Sequence, residues 1–404
     1  MERWSHSDCC IAGGESGRKI RYPGDARIAN STIPHCGNAR AGLANQRHAE
    51  PFFVPSSQQH RNNPMERQQH ITEWLSRLMP GRPFSLAPAS ADASFRRYFR
   101  ATLDDGSTHI VMDAPPAQED CRPWLQVQAL FSAAGAHVPA VLAQDLERGF
   151  LLLSDLGNTT YLTVLDTGNA PALYADAIAA LIAIQRASRP GVLPEYDRAL
   201  LKRELDLFPD WFLARQHQLV LTDAERTELE DVFERILAVN LAEPKVFVHR
   251  DYHARNLMVT QPNPGIIDFQ DAVYGPISYD MVSLLKDAYV EWDEEVALDW
   301  LVRYWEQARR VGLPIRSDFA EFHRDYEWMG VQRHLKILGI FARLWHRDGK
   351  DGYLKDMPRV ARYLRKACER YAELAPLRRI LDRVEDKITV LGYTMEKPAP
   401  QSPA

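Results

Sequence analysis

From Met65 onward the chain alternates between stretches with a two-residue apolar period and stretches with a helical one, and their order predicts the architecture. In Met65–Gly81, the residues Ile71, Trp74, Leu75 and Leu78 recur at helical spacing, and Pro80-Gly81 supplies a stop. Strands are predicted at Phe84–Ala87, Phe95–Ala101 and Thr108–Met112, the last two joined through the turn dipeptide Asp105-Gly106. Pro115-Pro116 ends this meander. A helix follows at Trp124–Ala134, with Trp124, Val127 and Leu130 or Phe131 on one stripe, and then two strands, Val138–Gln144 and Phe150–Ser154.

After Asp155-Leu156-Gly157 the helical period takes over. Helices are predicted at Ala172–Ala187 and Asp197–Arg215, and from the capping box Thr222-Asp223-Ala224-Glu225 to Leu241. Ser278–Tyr289, Asp293–Arg310, Ser317–Leu344, Pro358–Leu374 and a short Leu377–Asp386 follow. Short strands at Pro244–Val248, Leu257–Thr260 and Gly265–Asp268 interrupt them. The pattern reads as an α+β chain in two lobes, a β-rich one at residues 65–156 and a mainly helical one at 157–390. Residues 1–64, rich in Gly, Ser, Asn, Pro, Gln and His, show no period and read as a disordered extension or a start assigned too early, and 391–404 as a flexible tail.

Composition narrows the function. Lys and Arg number 49 against 54 Asp and Glu, a formal charge of -5, and no dense basic block extends beyond Arg96-Arg97-Tyr98-Phe99-Arg100. This speaks against a nucleic-acid or anionic-membrane partner, and no protein partner is implied. The five cysteines (9, 10, 36, 121 and 368) form no C-x-x-C pair, so neither a disulfide framework nor structural zinc is indicated, and a reduced cytoplasmic compartment is expected. The apolar run Ala177–Ile184 is far shorter than a membrane span, and the first residues lack the apolar region of a secretory signal.

The candidate chemistry lies at His249-Arg250-Asp251-Tyr252-His253-Ala254-Arg255-Asn256, followed by Ile266-Ile267-Asp268-Phe269. Phosphoryl transfer requires a group that orients and deprotonates an acceptor hydroxyl and hard oxygen ligands for a divalent cation. Asp251 fits the first need. Asn256 and Asp268 fit the second, as ligands of Mg²⁺. His249 is expected to support the loop by packing and hydrogen bonding, and Asp280 to be buried and bonded to the loop backbone. On the nucleotide side, Ser94, one of Arg96 and Arg97, and the stretch around Leu153 and Asp155 are the candidates. Arg96 and Arg97 alternate in direction along a strand, so at most one faces a phosphate.

The stretches FVHRDYHARNLMV (247–259) and GIIDFQDAVYGPISYDMVSLL (265–285) resemble the aminoglycoside phosphotransferase and choline-kinase-like superfamily. The resemblance extends over roughly residues 66 to 390 and implies a bilobal protein-kinase-like fold with ATP in the cleft. It also implies Asp251 as catalytic aspartate, Asn256 and Asp268 as metal ligands and Asp280 as the brace of the catalytic loop. SFRRYFR (94–100), LLLSDLG (151–157), FPDWF (208–212) and QRHLKILGIFARL (332–344) are similar to the branch of this family that phosphorylates the anomeric hydroxyl of the cell-wall amino sugars N-acetylmuramate and N-acetylglucosamine. The rival readings are a kinase for an aminoglycoside, choline or homoserine, and a nucleotide-binding pseudokinase. Where many relatives carry a phosphate-holding lysine on the third strand this chain has Met112, so Arg96 or Arg97 is expected to supply the charge, and Glu119 loses its usual partner. Glu204, Asp210 and Trp211 on one helix and Gln332, Arg333 and Lys336 on another are candidate acceptor walls. Trp211 either covers a sugar face or packs against Phe208 and Phe212, and Arg333 either meets a carboxylate or makes a structural ion pair.

Overall fold

Strand pairing fixes which side of each strand meets the cleft. The computed structural model describes residues 64–90 and 95–391, so the expectations for residues 1–63, for Ser94 and for 392–404 lie outside them. Helix α1 (Pro64–Leu78) precedes β1 (Phe84–Ser90), β2 (Arg97–Leu103), β3 (Thr108–Asp113), α2 (Cys121–Ala133), β4 (Val141–Asp145) and β5 (Phe150–Ser154). The strands form one antiparallel sheet in the order β1-β2-β3-β5-β4.

Alternation splits the sheet into two apolar faces. Phe99, Ala101, Val111, Phe150 and Leu152 bury Ile71, Trp74 and Leu75 of α1, with Trp74 and Phe150 ring centroids 5.7 Å apart. Met112, Leu151 and Leu153 point the other way, into the main core shared with α2 and the helical lobe. The α2 stripe anticipated from the sequence is the buried set Trp124, Val127 and Phe131, and Asp120 caps the helix by accepting from the Arg122 amide at 2.9 Å.

The second lobe contains α3 (Tyr161–Val164), α4 (Ala170–Arg186), α5 (Arg198–Leu205), a π-helical segment (Phe208–Gln216) and α6 (Asp223–Leu241). Next come β6 (Lys245–Val248), β7 (Leu257–Met258), β8 (Gly265–Ile266), β9 (Val273–Pro276), α7 (Tyr279–Leu285), α8 (Glu294–Arg310), α9 (Phe319–Asp348), α10 (Met357–Arg370) and α11 (Ala375–Leu391). The box at Thr222 and Glu225 starts α6 as expected, each residue serving the other's backbone amide.

Two local departures have backbone causes. The single helix expected over 197–215 is divided because Pro209 has no N–H to donate, and the chain continues with the wider π winding. Strand β9, where no strand was expected, ends at Gly275-Pro276 and pairs with β6 from Val248↔Val273 to Lys245↔Pro276. Proline is tolerated at that terminal position.

Helix α9 runs for 30 residues, from the cap Asp318 to Gly349, whose φ of 66° closes it in the left-handed region. Several connections tie the sheet, the linker and the helical lobe, among them Gln126 of α2, which donates to the Val192 carbonyl at 2.8 Å. The Ile266 amide donates to the His137 carbonyl at 2.8 Å, and the Val259 amide donates to that of Thr159 at 2.8 Å. Among the described residues no helix is long and apolar enough to cross a membrane.

Candidate active site

Strand β6 delivers the chain to a loop with unusual backbone. Arg250 has φ of 77° and Asp268 φ of 63°, left-handed conformations that cost a non-glycine residue about 1–3 kcal/mol each. The fully buried Asp280 offsets this at Arg250: its Oδ2 accepts from the His249 amide at 2.7 Å and its Oδ1 from the Arg250 amide at 3.0 Å. His249 is buried too. Its Nδ1 accepts from the Asp251 amide at 3.2 Å, which assigns the proton to Nε2, 3.0 Å from the Ile267 carbonyl. Burial holds the His249 pKa below its usual value, so the ring is neutral at pH 7 and acts as a spacer between the two halves of the site.

Asp287 was not anticipated, since nothing in its local pattern sets it apart from other carboxylates beyond a helix end. It lies just past α7 and accepts from the amides of Ala254 (2.9 Å) and Tyr289 (2.8 Å), anchoring the far end of the loop.

With the backbone held in this way, the Asp251 carboxylate opens to the cleft, its side chain 42% exposed. Desolvation at the cleft floor raises its pKa, but Lys336 and Arg333, with smaller contributions from His253 and Arg250, outweigh that and hold it at about 2. Beneath it lies Glu204, buried, with Oε1 2.5 Å from Arg250 and 3.0 Å from Lys336, and Oε2 bonded to Tyr196 and to Gln332 at 3.1 Å. Glu204 is therefore removed from the expected acceptor wall, because its carboxylate is consumed by buried cations. Arg333, only 4% exposed, donates to the Arg250 carbonyl (2.8 Å) and Tyr279 Oη (3.1 Å) and lies 3.9 Å from Asp251. It is enclosed behind the Asp251 carboxylate and is not open to the cleft. Asp210 is exposed and Trp211 half-buried against the core; neither joins the cluster of contacts at Asp251.

Asn256 links the two halves of the candidate site. Its amide nitrogen donates to the Asp251 carbonyl at 3.0 Å and to Asp268 Oδ2 at 3.3 Å, while Gln270 holds Asp268 Oδ1 at 2.8 Å. Phe269, beside Asp268, packs against Trp124 and Phe131 at centroid distances of 5.0 and 5.9 Å. The stripe of α2 thus sets the position of Asp268.

Among the residues expected at the nucleotide, Leu153 directs its side chain to the cleft face of the sheet. The Asp155 carboxylate is engaged: Arg100 grips both its oxygens at 2.5 and 2.9 Å, and also reaches Asn158 and the Gly157 carbonyl. Burial would raise the Asp155 pKa, but Arg100 and the Gly157 amide lower it, so this carboxylate stays ionised as a structural clasp. Met112 occupies the cleft face, fully buried, opposite Tyr98 and Leu151. Arg97 pairs directly with Asp113 across β2 and β3, on the α1 face. Arg67 of α1 and Arg97 share the buried Asp113 carboxylate. The expectation that Arg97 approaches phosphate is corrected by this register. Arg96, on the opposite side, lies 4.0 Å from Glu119.

A model of the phosphotransferase enzyme family matches residues 85–314. A Neisseria meningitidis serogroup B protein named N-acetylmuramate/N-acetylglucosamine kinase is 52% identical over 335 residues, 82% of this chain and 100% of that one. A Pseudomonas aeruginosa protein of the same name is 54% identical, covering 74% of this chain and 88% of its own length. Among solved structures, a choline/ethanolamine kinase family protein from Mesorhizobium loti superposes with a TM-score of 0.53 at 16% identity, covering 79% of this chain and 99% of that one. An amicoumacin kinase solved with AMP-PNP and Ca²⁺ gives a TM-score of 0.52 at 14% identity, covering 76% and 95%. These two likenesses establish the bilobal kinase-like fold. A family match over more than half of the chain, together with 52% identity to a named kinase along that protein's whole length, makes this chain a member of the phosphotransferase enzyme family.

Proposed function

We propose that the chain is an ATP-dependent kinase that phosphorylates the anomeric hydroxyl of N-acetylmuramate and N-acetylglucosamine. The observation that carries this reading is the 52% identity to the Neisseria kinase over all of that protein. The linked Asp251, Asn256 and Asp268 agree with it.

In this reading ATP lies against the cleft face of the sheet, with its base at the backbone of residues 154–156. Asp251 accepts a hydrogen bond from the acceptor hydroxyl and aims it at the γ-phosphorus. A carboxylate held at about pKa 2 is a weak base, so its main contribution is orientation. An anomeric hydroxyl is more acidic than an ordinary alcohol and suits such a group. Asn256 and Asp268 fit Mg²⁺, which typically takes one or two hard oxygen ligands from the protein and completes its shell with phosphates and water. When bound, the cation neutralises charge on the transferring group. Arg333 and Lys336 keep Asp251 ionised, and Asp280 and Asp287 fix the backbone that presents it. The sugar 1-phosphate belongs to cytoplasmic recycling of peptidoglycan.

The test is a coupled ATP-consumption assay over N-acetylmuramate, N-acetylglucosamine, aminoglycosides, choline and homoserine, with phosphorus NMR of the product. A 1-phosphate of either amino sugar is expected. Turnover only with a non-sugar acceptor, a 6-phosphate product, or no turnover at all would overturn the reading.

A further inference from the structure

The two acceptors of the proposed reaction differ by one group, the lactyl carboxylate of N-acetylmuramate, and the catalytic loop displays one cation suited to reading it. Arg250, Arg333 and Lys336 are held beneath Asp251 by Glu204 and Tyr279. Arg255 is different. Its side chain is exposed, with the guanidinium 4.3 Å above the Tyr289 ring and 5.9 Å from that of Tyr353, and among the described residues it enters no salt bridge.

The neighbouring residue Asn256 faces Asp268 and the metal side, whereas Arg255 faces the aromatic residues of the helical lobe. This separates a nucleotide side of the loop from an acceptor side. Phe341 supports Tyr353 at 5.1 Å, and the Tyr289 ring also receives His253 edge-on at 5.4 Å. His253 Nδ1 is buried beside this wall with no hydrogen-bond partner among the described residues, a polar atom that an oxygen-rich ligand can satisfy. Stacking and a hydrogen bond with Tyr289 limit the freedom of the guanidinium, and its remaining N–H groups can meet a carboxylate.

We propose that Arg255, propped by Tyr289 and Tyr353, receives the carboxylate of the acidic amino-sugar acceptor and so sets the preference between N-acetylmuramate and N-acetylglucosamine. The assignment rests on the amino-sugar kinase reading. It is tested by measuring kcat/KM for both sugars in the wild-type enzyme and in Arg255→Gln, Arg255→Lys and Tyr353→Leu. The ratio of N-acetylmuramate to N-acetylglucosamine kcat/KM is expected to fall by about tenfold or more in Arg255→Gln, the scale of a lost charge-assisted hydrogen bond. Arg255→Lys, which keeps the charge and loses the fork, should fall between; Tyr353→Leu should lower the ratio through the lost prop. A ratio in Arg255→Gln within roughly twofold of wild type would overturn the assignment alone. A wild-type enzyme that phosphorylates neither sugar would overturn the kinase reading and this assignment together.

Discussion

Asp251 must remain charged at the bottom of a cleft, where desolvation favours the neutral acid. The cations behind it decide the outcome and hold its pKa at about 2. A depressed carboxylate pKa leaves the reactive ionised form present above that value and lost only as pH falls through it. The acidic limb of a kcat–pH profile between about pH 4 and 8 should therefore contain no titration from this residue. Asp251→Asn keeps the shape and removes the charge, and should lower kcat by about 10²–10⁴-fold while ATP affinity measured by calorimetry changes little. Arg97→Ala should behave in the opposite way. It leaves the buried Asp113 with Arg67 alone, so urea unfolding should report a loss of about 1–3 kcal/mol, while the KM for ATP stays near wild type. That Asp251, Asn256 and Asp268 lie together was legible because their spacing is local. Arg97 and Glu204 were misplaced, and the choice for Arg333 was left open, because their roles depend on partners 16, 46 and 83 residues away, which no local pattern names.

Helix α9 shows what packing at one position can do to an entire element. A Cβ added at Gly339 would lie 2.5 Å from the backbone carbonyl of Leu207, so the helix approaches the turn before the π segment closely enough to exclude even a methyl group. Gly339→Ala should cost about 1–3 kcal/mol by thermal or urea unfolding, and should also lower kcat, because Arg333 and Lys336 lie one to two turns upstream on the displaced helix. Unchanged kinetics in a destabilised variant would show that the displacement is absorbed locally. The helices were largely legible because capping and periodicity act within a few residues, as at Thr222 and Glu225. The π segment and β9 were not: the first depends on how Pro209 is accommodated, and the second exists only through pairing with β6.

At the scale of the molecule, stability and pH are coupled through Glu243, which is buried between the end of α6 and Ser278, accepting from the Ser278 amide at 3.1 Å. Burial raises its pKa to about 8. A carboxyl group that holds its proton in the folded state and releases it in the unfolded chain makes stability fall as pH rises between the two pKa values. From this residue alone the fall is about 1.4 kcal/mol per unit from about pH 4 to about pH 8, flattening above. Glu243→Gln, neutral throughout, should lack that slope, so urea unfolding at a series of pH values should find its advantage over wild type growing toward alkaline pH. Parallel curves would refute the protonated state.

The clasp between Arg100 and Asp155 has a mechanical consequence. Because Arg100 also reaches Asn158 and the Gly157 carbonyl, the linker as far as Asn158 travels with the sheet. Thr159 is already bonded to Val259 of the helical lobe, and His137 is bonded to Ile266. The lobes are thus tied along this edge, and α2 adds further ties, Gln126 donating to the Val192 carbonyl at 2.8 Å and Trp124 and Phe131 packing on Phe269. A swing of the whole sheet would have to break these ties, so the freedom left for closure over a nucleotide lies at the β1 edge of the sheet, farthest from them.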